Sequence, residues 1–174
     1  MSLILEKMQI VEGFPAVDLD TAATNTGDYV SLANYKHVAI VLISGIGTAG
    51  DDPLLTIQQA QDVAGTGVKA LNINTSKIFK KQAATDLSAT GQWSSASADV
   101  TTNTWDNATA AEQSVIVVAE FDADELDVDN GFDCINATVA LGGGGGAAQP
   151  GYLFYLLSEP RYGAKPVNML SAIA

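Results

Sequence analysis

The chain has 174 residues, a length that suits one domain with a sizeable core. Hydrophobic residues make up 47 % of it, which excludes disorder on compositional grounds. Acidic residues number 20 against 8 basic ones, so the formal net charge is −12 at pH 7. Because proteins bind nucleic acid by neutralising phosphates with Lys and Arg, this charge predicts a protein that binds neither nucleic acid nor anionic membranes.

The amino-terminal segment MSLILEKMQI lacks the long apolar run and the cleavage site of a signal peptide. No apolar stretch approaches the length of about 20 residues that spans a bilayer. The single cysteine, Cys134, lies in an apolar segment and predicts a small buried residue rather than a disulfide or a metal knuckle. We therefore expect a soluble protein of a reducing compartment, or one assembled there.

Short runs rich in Val, Ile, Thr and aromatic residues alternate with clusters of Gly, Asn, Asp and Ser, which is typical of all-β proteins. The fold expected for residues 1–160 is a single-domain antiparallel β-sandwich of jelly-roll type. The predicted strands are 8–14, 28–32, 37–44, 54–61, 68–73, 77–82, 92–97, 114–121, 133–141 and 151–158.

Two of these strands, HVAIVLIS at 37–44 and SVIVVAEF at 114–121, are apolar on both faces. Such strands belong at the centre of a sheet that is covered on both sides. The alternating segments 77–82 and 92–97 are expected at an edge or beside a wet face.

Helical signals are few. The segment LLTIQQAQDVAG at 54–65 also has the composition of a helix, so strand and helix both stay open there. The segments 122–130 and 109–113 predict short helical turns, the first of them capped by Asp122. The five glycines at 142–146 predict a flexible loop, because ordering glycine has a large entropic cost.

Residues 161–174 are predicted to form an extended carboxy-terminal arm, since prolines at 160 and 166 disfavour a helix. The arm ends in an apolar segment. It either reaches a neighbouring subunit or folds back on its own sandwich, and both readings stay open. The residues predicted to make assembly contacts in the arm are Tyr162, Val167, Met169, Leu170 and Ile173.

The segment GIGTAG has the spacing G-x-G-x-x-G of dinucleotide-binding loops, with glycines at Gly45, Gly47 and Gly50. Two carboxylates and a proline follow where a helix should open, and residues 68–77 contain no acid for a ribose. The segment therefore predicts an exposed loop between two strands and a second assembly contact, with no cofactor.

Catalytic constellations are missing from the sequence. The only histidine is His37, at the start of a strand, and no G-x-S-x-G elbow is present. One Cys and one His do not supply a usual zinc ligand set. We therefore expect a protein that is not an enzyme.

The acidic stretch at 122–133 is the candidate metal site. Its ligands would be Asp122, Asp124, Asp127 and Asp129, whose hard oxygens suit a structural Ca²⁺. The glycine and glutamate positions of an EF-hand are not matched. The other reading, which we favour, is an acidic turn that faces water.

Several phrases carry a resemblance: VEGFPAVDLDT, GDYVSLANYKHVAIVLISGIGTAGDDPLLTIQQAQDVAGTGVKALNI, VVAEFDADELDVDNGFDCINATV and LLSEPRY. Together they resemble small virion proteins of tailed bacteriophages and prophages. The resemblance covers most of the chain, is thinner across 77–112 and the five-glycine loop, and supplies no active-site residues.

The resemblance implies a capsid decoration, or cement, protein on the virion surface, assembled in the bacterial cytoplasm. Its partners would be the major capsid protein and its own copies, as a homo-oligomer, here expected to be a trimer. The alternative is a cation-dependent module that binds a surface or glycan, as a turret, spike or tail element, through the 122–133 stretch.

Overall fold

A computed structural model describes residues 3–48, 50–107, 113–142, 148–162 and 165–173. These residues form two antiparallel β-sheets packed against each other, which confirms the predicted β-sandwich. The predicted turn at 109–113 lies, apart from Gln113, outside the described residues. So do the glycines that follow Gly142.

The strands of the described chain are numbered in sequence order. They are β1 (Met8–Asp18), β2 (Asn25–Thr26), β3 (Val30–Ser31), β4 (Tyr35–Ser44), β5 (Pro53–Ala60), β6 (Lys69–Ala70), β7 (Ile78–Ala83), β8 (Ser94–Ser95), β9 (Val100–Thr101), β10 (Thr104–Asp106), β11 (Ser114–Asp122), β12 (Cys134–Leu141) and β13 (Pro150–Pro160). Short 3₁₀ helices are Ile4–Glu6, Leu19–Thr21, Ser97–Asp99, Ala123–Glu125, Val128–Asn130 and Pro166–Asn168.

Sheet A has the strand order β1-β13-β4-β11-β7-β8, and sheet B has the order β2-β12-β5-β10-β9, with β3 beside β12 and β6 beside β5. The chain changes sheet after β1, β3, β4, β6, β8, β10, β11 and β12. The two strands that are apolar on both faces, β4 and β11, are neighbours inside sheet A, and β7 and β8 form its edge, as the sequence predicts.

The structure decides one alternative that the sequence left open, adds three short strands and contains the expected acidic turn. The segment with helical composition at 54–65 forms β5, because its alternate residues Leu55 and Ile57 are fully buried between the sheets. Strands β2, β9 and β10 are two or three residues long and were not predicted. The acidic segment does form the expected turn, Ala123–Glu125, in which the Glu125 carboxylate accepts from the Asp122 backbone N–H at 2.7 Å.

The core lies between the inner faces of the two sheets. Every second side chain of β4 and β11 is fully buried there, among them Val38, Ile40 and Val117. Complete burial of such a side chain stabilises the fold by about 1.5–3 kcal/mol. Cys134 is also buried, and burial raises the pKa of its thiol to about 12, so it stays a neutral packing residue.

One hydroxyl joins the two sheets through this core. Tyr155 of β13, in sheet A, is fully buried, and its hydroxyl accepts from the backbone N–H of Ala137 in sheet B at 3.2 Å. The same hydroxyl donates to the Asp28 carbonyl oxygen at 2.9 Å. Burial raises the pKa of Tyr155, so the group remains a neutral donor. Strand β3 pairs with β12 before Ala137 and strand β2 pairs with it after Ala137, so the Tyr155 hydroxyl bonds β12 between these two short strands.

Gly27 makes room for the tyrosine. A Cβ at this position would lie 2.7 Å from the Tyr155 hydroxyl and 2.8 Å from the Ala137 carbonyl oxygen. The backbone must approach this closely because Gly27 N–H donates to that same carbonyl at 2.9 Å. A side chain here would therefore force the two sheets apart.

Replacing Tyr155 by Phe removes the hydroxyl and keeps the ring. We expect a loss of about 1–3 kcal/mol in the free energy of unfolding, because a buried N–H and a carbonyl lose their partner. Urea unfolding measures this as a lower midpoint at unchanged slope. Tyr152→Phe, which removes a hydroxyl on the outer face of sheet A, is the matched control. Equal stability of both variants would contradict the role given to Tyr155.

Candidate assembly surface

The outer face of sheet A is apolar across four strands. Its central row joins Phe154 of β13, Val41 of β4, Val118 of β11 and Phe79 of β7, which are direct cross-strand partners. An antiparallel sheet with one face in water normally alternates apolar and polar residues. Here the outward residues in the middle of the central strands, Val41 and Ile43 of β4 and Ile116 and Val118 of β11, are apolar.

Two further rows lie on either side of the central one. The first runs through Tyr152, Ile43 and Ile116 and ends at Lys81 of β7, and the second runs through Ile10, Leu156 and Ala39 to Glu120. We call the apolar members of the three rows, with Trp93 beside Phe79, the apolar face of sheet A. Its members are Ile10, Ala39, Val41, Ile43, Phe79, Trp93, Ile116, Val118, Tyr152, Phe154 and Leu156.

Several large members of this face are exposed. Trp93 is 49 % exposed and Phe79 is 38 % exposed, and together with Val118 they line a shallow hollow on the sheet. The rings of Tyr152 and Phe154 lie 5.6 Å apart farther along the same surface. Contiguous exposed apolar patches of this kind mark interaction sites on soluble proteins.

The outer face of sheet B differs in chemistry. Its outward residues on β5, β10 and β12 include Thr56, Gln58, Thr104 and Thr138, and the hydroxyls of Thr56 and Thr104 lie 3.0 Å apart. This face has the polar composition of a sheet surface in water. The two outer faces therefore distinguish a wet side of the sandwich from an apolar one.

Opposite charges stand at the two margins of the apolar face. Glu12 on β1 is exposed, is the cross-strand partner of Phe154 and accepts from the Tyr152 hydroxyl at 3.3 Å. At the other margin the Lys81 ammonium lies 5.0 Å from the centre of the Trp93 ring. Between these margins the face carries few charges.

His37 lies where this face ends, in a cluster of charged side chains. Its Nδ1 is 3.0 Å from Asp122 and its Nε2 is 3.2 Å from Glu120. The Lys77 ammonium donates to Asp122 at 2.6 Å and to Glu125 at 3.0 Å. The bond from Lys77, and then that from His37, lowers the pKa of Asp122. This cluster contains no nucleophile beside the histidine, and its contacts are those of ion pairs.

The four carboxylates predicted to bind Ca²⁺ are not brought together. Asp122 pairs with Lys77, whereas Asp127 pairs with Lys69 and accepts from Asn130. Asp124 and Asp129 are exposed. Across the described ranges no three His, Cys, Asp or Glu side chains are grouped to hold a metal. A cation at 122–133 would have to displace the lysines, and that site stays a prediction.

The glycine-rich loop closes one end of the sandwich. No helix follows it, since β5 begins at Pro53. The Gly45 N–H donates to the Pro150 carbonyl at 2.7 Å, and a Cβ on Gly47 would lie 2.8 Å from the Gln149 side-chain oxygen. Gly50 has φ +90°, a conformation that favours glycine. Two of the three predicted contact glycines thus pack against their own domain.

The carboxy-terminal segment runs along its own sandwich. The Arg161 N–H donates to Asn34 at 2.9 Å, the Tyr35 hydroxyl bonds the Leu170 carbonyl at 3.0 Å, and the Ser31 N–H donates to Ala172 at 2.7 Å. These three bonds hold the described part of the tail against its own domain.

The side chains of this segment divide between two directions. Met169 packs against the core, whereas Tyr162, Val167, Leu170 and Ile173 are exposed, Val167 by 88 %. Four of the five arm residues predicted as assembly contacts thus remain available to another molecule. Their role in assembly stays a prediction.

The apolar face of sheet A was missed as a contact surface by sequence reasoning. The sequence did contain a signal for this contact surface, because the segments 37–44 and 114–121 are apolar on both faces and were expected to be covered on both sides. The inner cover is sheet B. On the outer side, loop residues Asp86, Leu87 and Trp93 of the described chain border the face beside Ile43 and Phe79, and neither strand order places a further sheet there.

No protein-family model matches the chain, and no curated protein sequence matches it. Among solved structures, it is similar to one described as the structure of infectious bursal disease virus, Gt strain. The TM-score is 0.25 and the identity 12 %, over 87 % of this chain and 36 % of the other.

A second similar structure is a VP2 subviral particle of the same virus. Its TM-score is 0.21 and its identity 11 %, over 97 % of this chain and 42 % of the other. The chain thus spans less than half the length of either protein, and at these TM-scores the likeness carries no argument about fold or function. Separately, none of the described helices is long and apolar enough to cross a membrane.

The ion pairs at Asp122 give a pH-dependent prediction. Since the pKa of this carboxyl is below its ordinary value of 3.8, its pairs stabilise the fold above that value, and the contribution is lost as pH falls through the lowered pKa. Asp122→Asn should therefore destabilise the protein at neutral pH by less than about 1 kcal/mol, because the pairs are half-exposed.

Chemical denaturation from neutral pH down to about pH 2 tests this, and the difference from the wild type should shrink in acid. Asp124→Asn, which changes an exposed neighbouring carboxylate, should have little effect at any pH. A constant difference across the range would show that Asp122 acts through packing rather than through charge.

Proposed function

We propose that this chain is a non-enzymatic virion structural protein that assembles with its own copies through the apolar face of sheet A. The observation that carries the proposal is that face, which lies on the outside of a well-packed sandwich. Removing it from water is favourable by about 25 cal/mol for each Å² of apolar area buried. The wet outer face of sheet B shows that the fold itself does not require an apolar exterior.

The occupant of the face is a second copy of the chain. Glu12 and Lys81 stand at opposite margins, so the Glu12 margin of one copy is complementary in charge to the Lys81 margin of the next. A head-to-tail contact of this kind joins unlike margins of neighbouring copies, and it forms a ring, such as the expected trimer, where the rotation between copies closes. Because the chain has a net charge of −12, contacts elsewhere would bring like charges together.

The finer assignment is a capsid decoration protein that binds the major capsid protein. We infer a jelly roll from the strand orders β1-β13-β4-β11 and β2-β12-β5-β10, in which first and last strands are neighbours. The resemblance to phage virion proteins supports the same role. The exposed Val167, Leu170 and Ile173 then supply a second contact, toward the shell.

Charged substitutions on the apolar face test the assembly surface. We expect the wild-type chain to be oligomeric in light scattering coupled to size-exclusion chromatography. Ile43→Lys and Phe79→Lys should each shift it to monomer, by at least about tenfold in dissociation constant, because a buried unpaired ammonium costs more than 1.4 kcal/mol. Both residues are partly exposed, so the monomer should keep its circular dichroism spectrum.

Gln58→Lys is the matched control, since it places the same charge on the wet outer face of sheet B. It should leave the oligomer intact. Val167→Lys distinguishes a contact through the arm from a contact through sheet A, because this substitution should abolish assembly only if the arm makes the contact between copies. A monomeric wild type, or an oligomer that survives Ile43→Lys and Phe79→Lys, would contradict the proposed surface.

The virion assignment is tested on particles. The chain should co-purify with virions on a density gradient, and quantitative mass spectrometry should find copies in a fixed ratio to the major capsid protein. A ratio near one identifies a decoration protein that covers the shell. Repetition on the shell would hold such a protein in place, because it adds avidity to weak single contacts. A few tens of copies per particle identifies a vertex or tail element. A chain found only outside particles would refute the assignment.

A further inference from the structure

The first and the last described segments of the chain both expose large apolar side chains. Six of the fourteen large hydrophobic residues that are exposed in the described chain lie at 3–5 and 167–173, so this exposure is concentrated rather than scattered. Ile4 is 73 % exposed, and Val167 is exposed still further. We call these six side chains the end surface, and its members are Leu3, Ile4, Leu5, Val167, Leu170 and Ile173.

A short turn fixes the backbone beneath the first three members. In the 3₁₀ helix Ile4–Glu6, the Lys7 N–H donates to the Ile4 carbonyl oxygen at 2.9 Å. The Glu6 carboxylate accepts from the Leu3 N–H at 3.0 Å and so closes the turn. The three apolar side chains therefore project from a formed element, and this element buries none of its residues.

The other three members project from a segment that is anchored to the core. Ala172 is almost fully buried, and its carbonyl oxygen accepts from the Ser31 N–H at 2.7 Å. Met169 packs against the core, and Val167 lies in the 3₁₀ helix Pro166–Asn168. Because the backbone is already held in place, little conformational freedom is lost when a partner covers the exposed side chains.

One hydroxyl brings the two segments to the same end of the sandwich. The Tyr35 hydroxyl contacts the Gln9 side chain of β1, and it bonds the Leu170 carbonyl oxygen at 3.0 Å. Strand β1 begins at Met8, directly after the first turn, and that turn contacts β1. The end surface therefore lies where β1 and β4 begin.

The end surface lies beyond the apolar face of sheet A rather than on it. The last row of that face runs through Ile10 and Ala39. The next row toward the start of β4 contains His37 and its partner Asp122, and Tyr35 lies two residues farther along the strand. Charged side chains thus separate the two surfaces, so one copy can contact a different molecule through each of them.

The charge of the two segments is opposite in sign to that of the whole chain. Residues 1–7 and 161–174 contain three basic side chains and one acidic side chain, whereas the net charge of the chain is −12. Lys7 and Lys165 are exposed, and no ion pair within the described ranges includes either of them. The third basic residue, Arg161, lies beside acidic side chains. Unpaired lysines next to apolar side chains suit a partner whose apolar surface is bordered by carboxylates.

We infer that the end surface docks on an apolar, acid-bordered surface of a second kind of protein. This inference rests on the proposed virion role, in which a neighbouring copy already covers the apolar face of sheet A. The occupant is then the shell protein on which the copies are mounted. The acidic remainder of the chain repels such a partner, so the charge distribution turns the end surface toward it.

Binding to particles that lack this chain tests the inference. The full chain is added to particles produced without it, and co-sedimentation gives the dissociation constant. Ile4→Glu and Val167→Glu should each raise this constant by at least about tenfold, because each buries a carboxylate against an acidic border. Val128→Glu makes the same change at an exposed apolar residue of another turn, and it should bind like the wild type.

Two further measurements test the chemistry of the partner. Ile4→Lys should bind more tightly than Ile4→Glu, because carboxylates on the partner attract an ammonium and repel another carboxylate. Wild-type binding should weaken about threefold or more between about 0.05 M and about 0.5 M NaCl, because salt screens exposed charges. Equal binding of the two variants together with no salt effect would show that the partner surface is not acidic, and would overturn the inference.

Oligomer mass, measured by light scattering on the same variants, separates this inference from the proposed assembly surface. Ile4→Glu and Val167→Glu should keep the wild-type mass, since they leave the apolar face of sheet A unchanged. Loss of the oligomer would show that the end surface joins copies, and particle binding that survives both substitutions would show that it does not dock on the shell. Either result overturns the inference alone. A wild-type chain that does not bind particles would refute the virion role as well.

Discussion

The architecture depends on one constraint, which is that β4 and β11 carry apolar side chains on both faces. The inner faces are satisfied by sheet B, and this pairing closes the sandwich around a dry core. The outer faces continue as cross-strand rows from β1 to β7, and the described chain leaves them uncovered. Sheet B thus covers one face of the central strands, and the other face is the surface that we propose contacts a second copy.

The apolar core holds the two sheets together, and a few buried polar groups fix the positions at which the sheets contact each other. The Tyr155 hydroxyl crosses the core to the backbone of sheet B, at a gap between two short strands that only Gly27 can line. At the far end, the Tyr35 hydroxyl bonds the tail at Leu170.

Much of the fold was readable from the sequence, for identifiable reasons. Long strands such as β4, β11 and β13 have strong β propensity and turn residues at both ends. Strands β2, β9 and β10 were missed because two or three residues carry no period, and their extended form depends on the partners that β12 and β5 offer. The segment at 54–65 fits helix and strand equally by composition, and burial of Leu55 and Ile57 decided it.

By itself, the sequence determined the β class, the central and edge positions of the strands and the acidic character. These follow from local pattern and composition, which act over a few residues. Only the tertiary structure decided which side of β4 faces outward and that the tail lies against Tyr35. The tail and Tyr35 are far apart in the chain, and their approach depends on strand order and register, which local pattern does not encode.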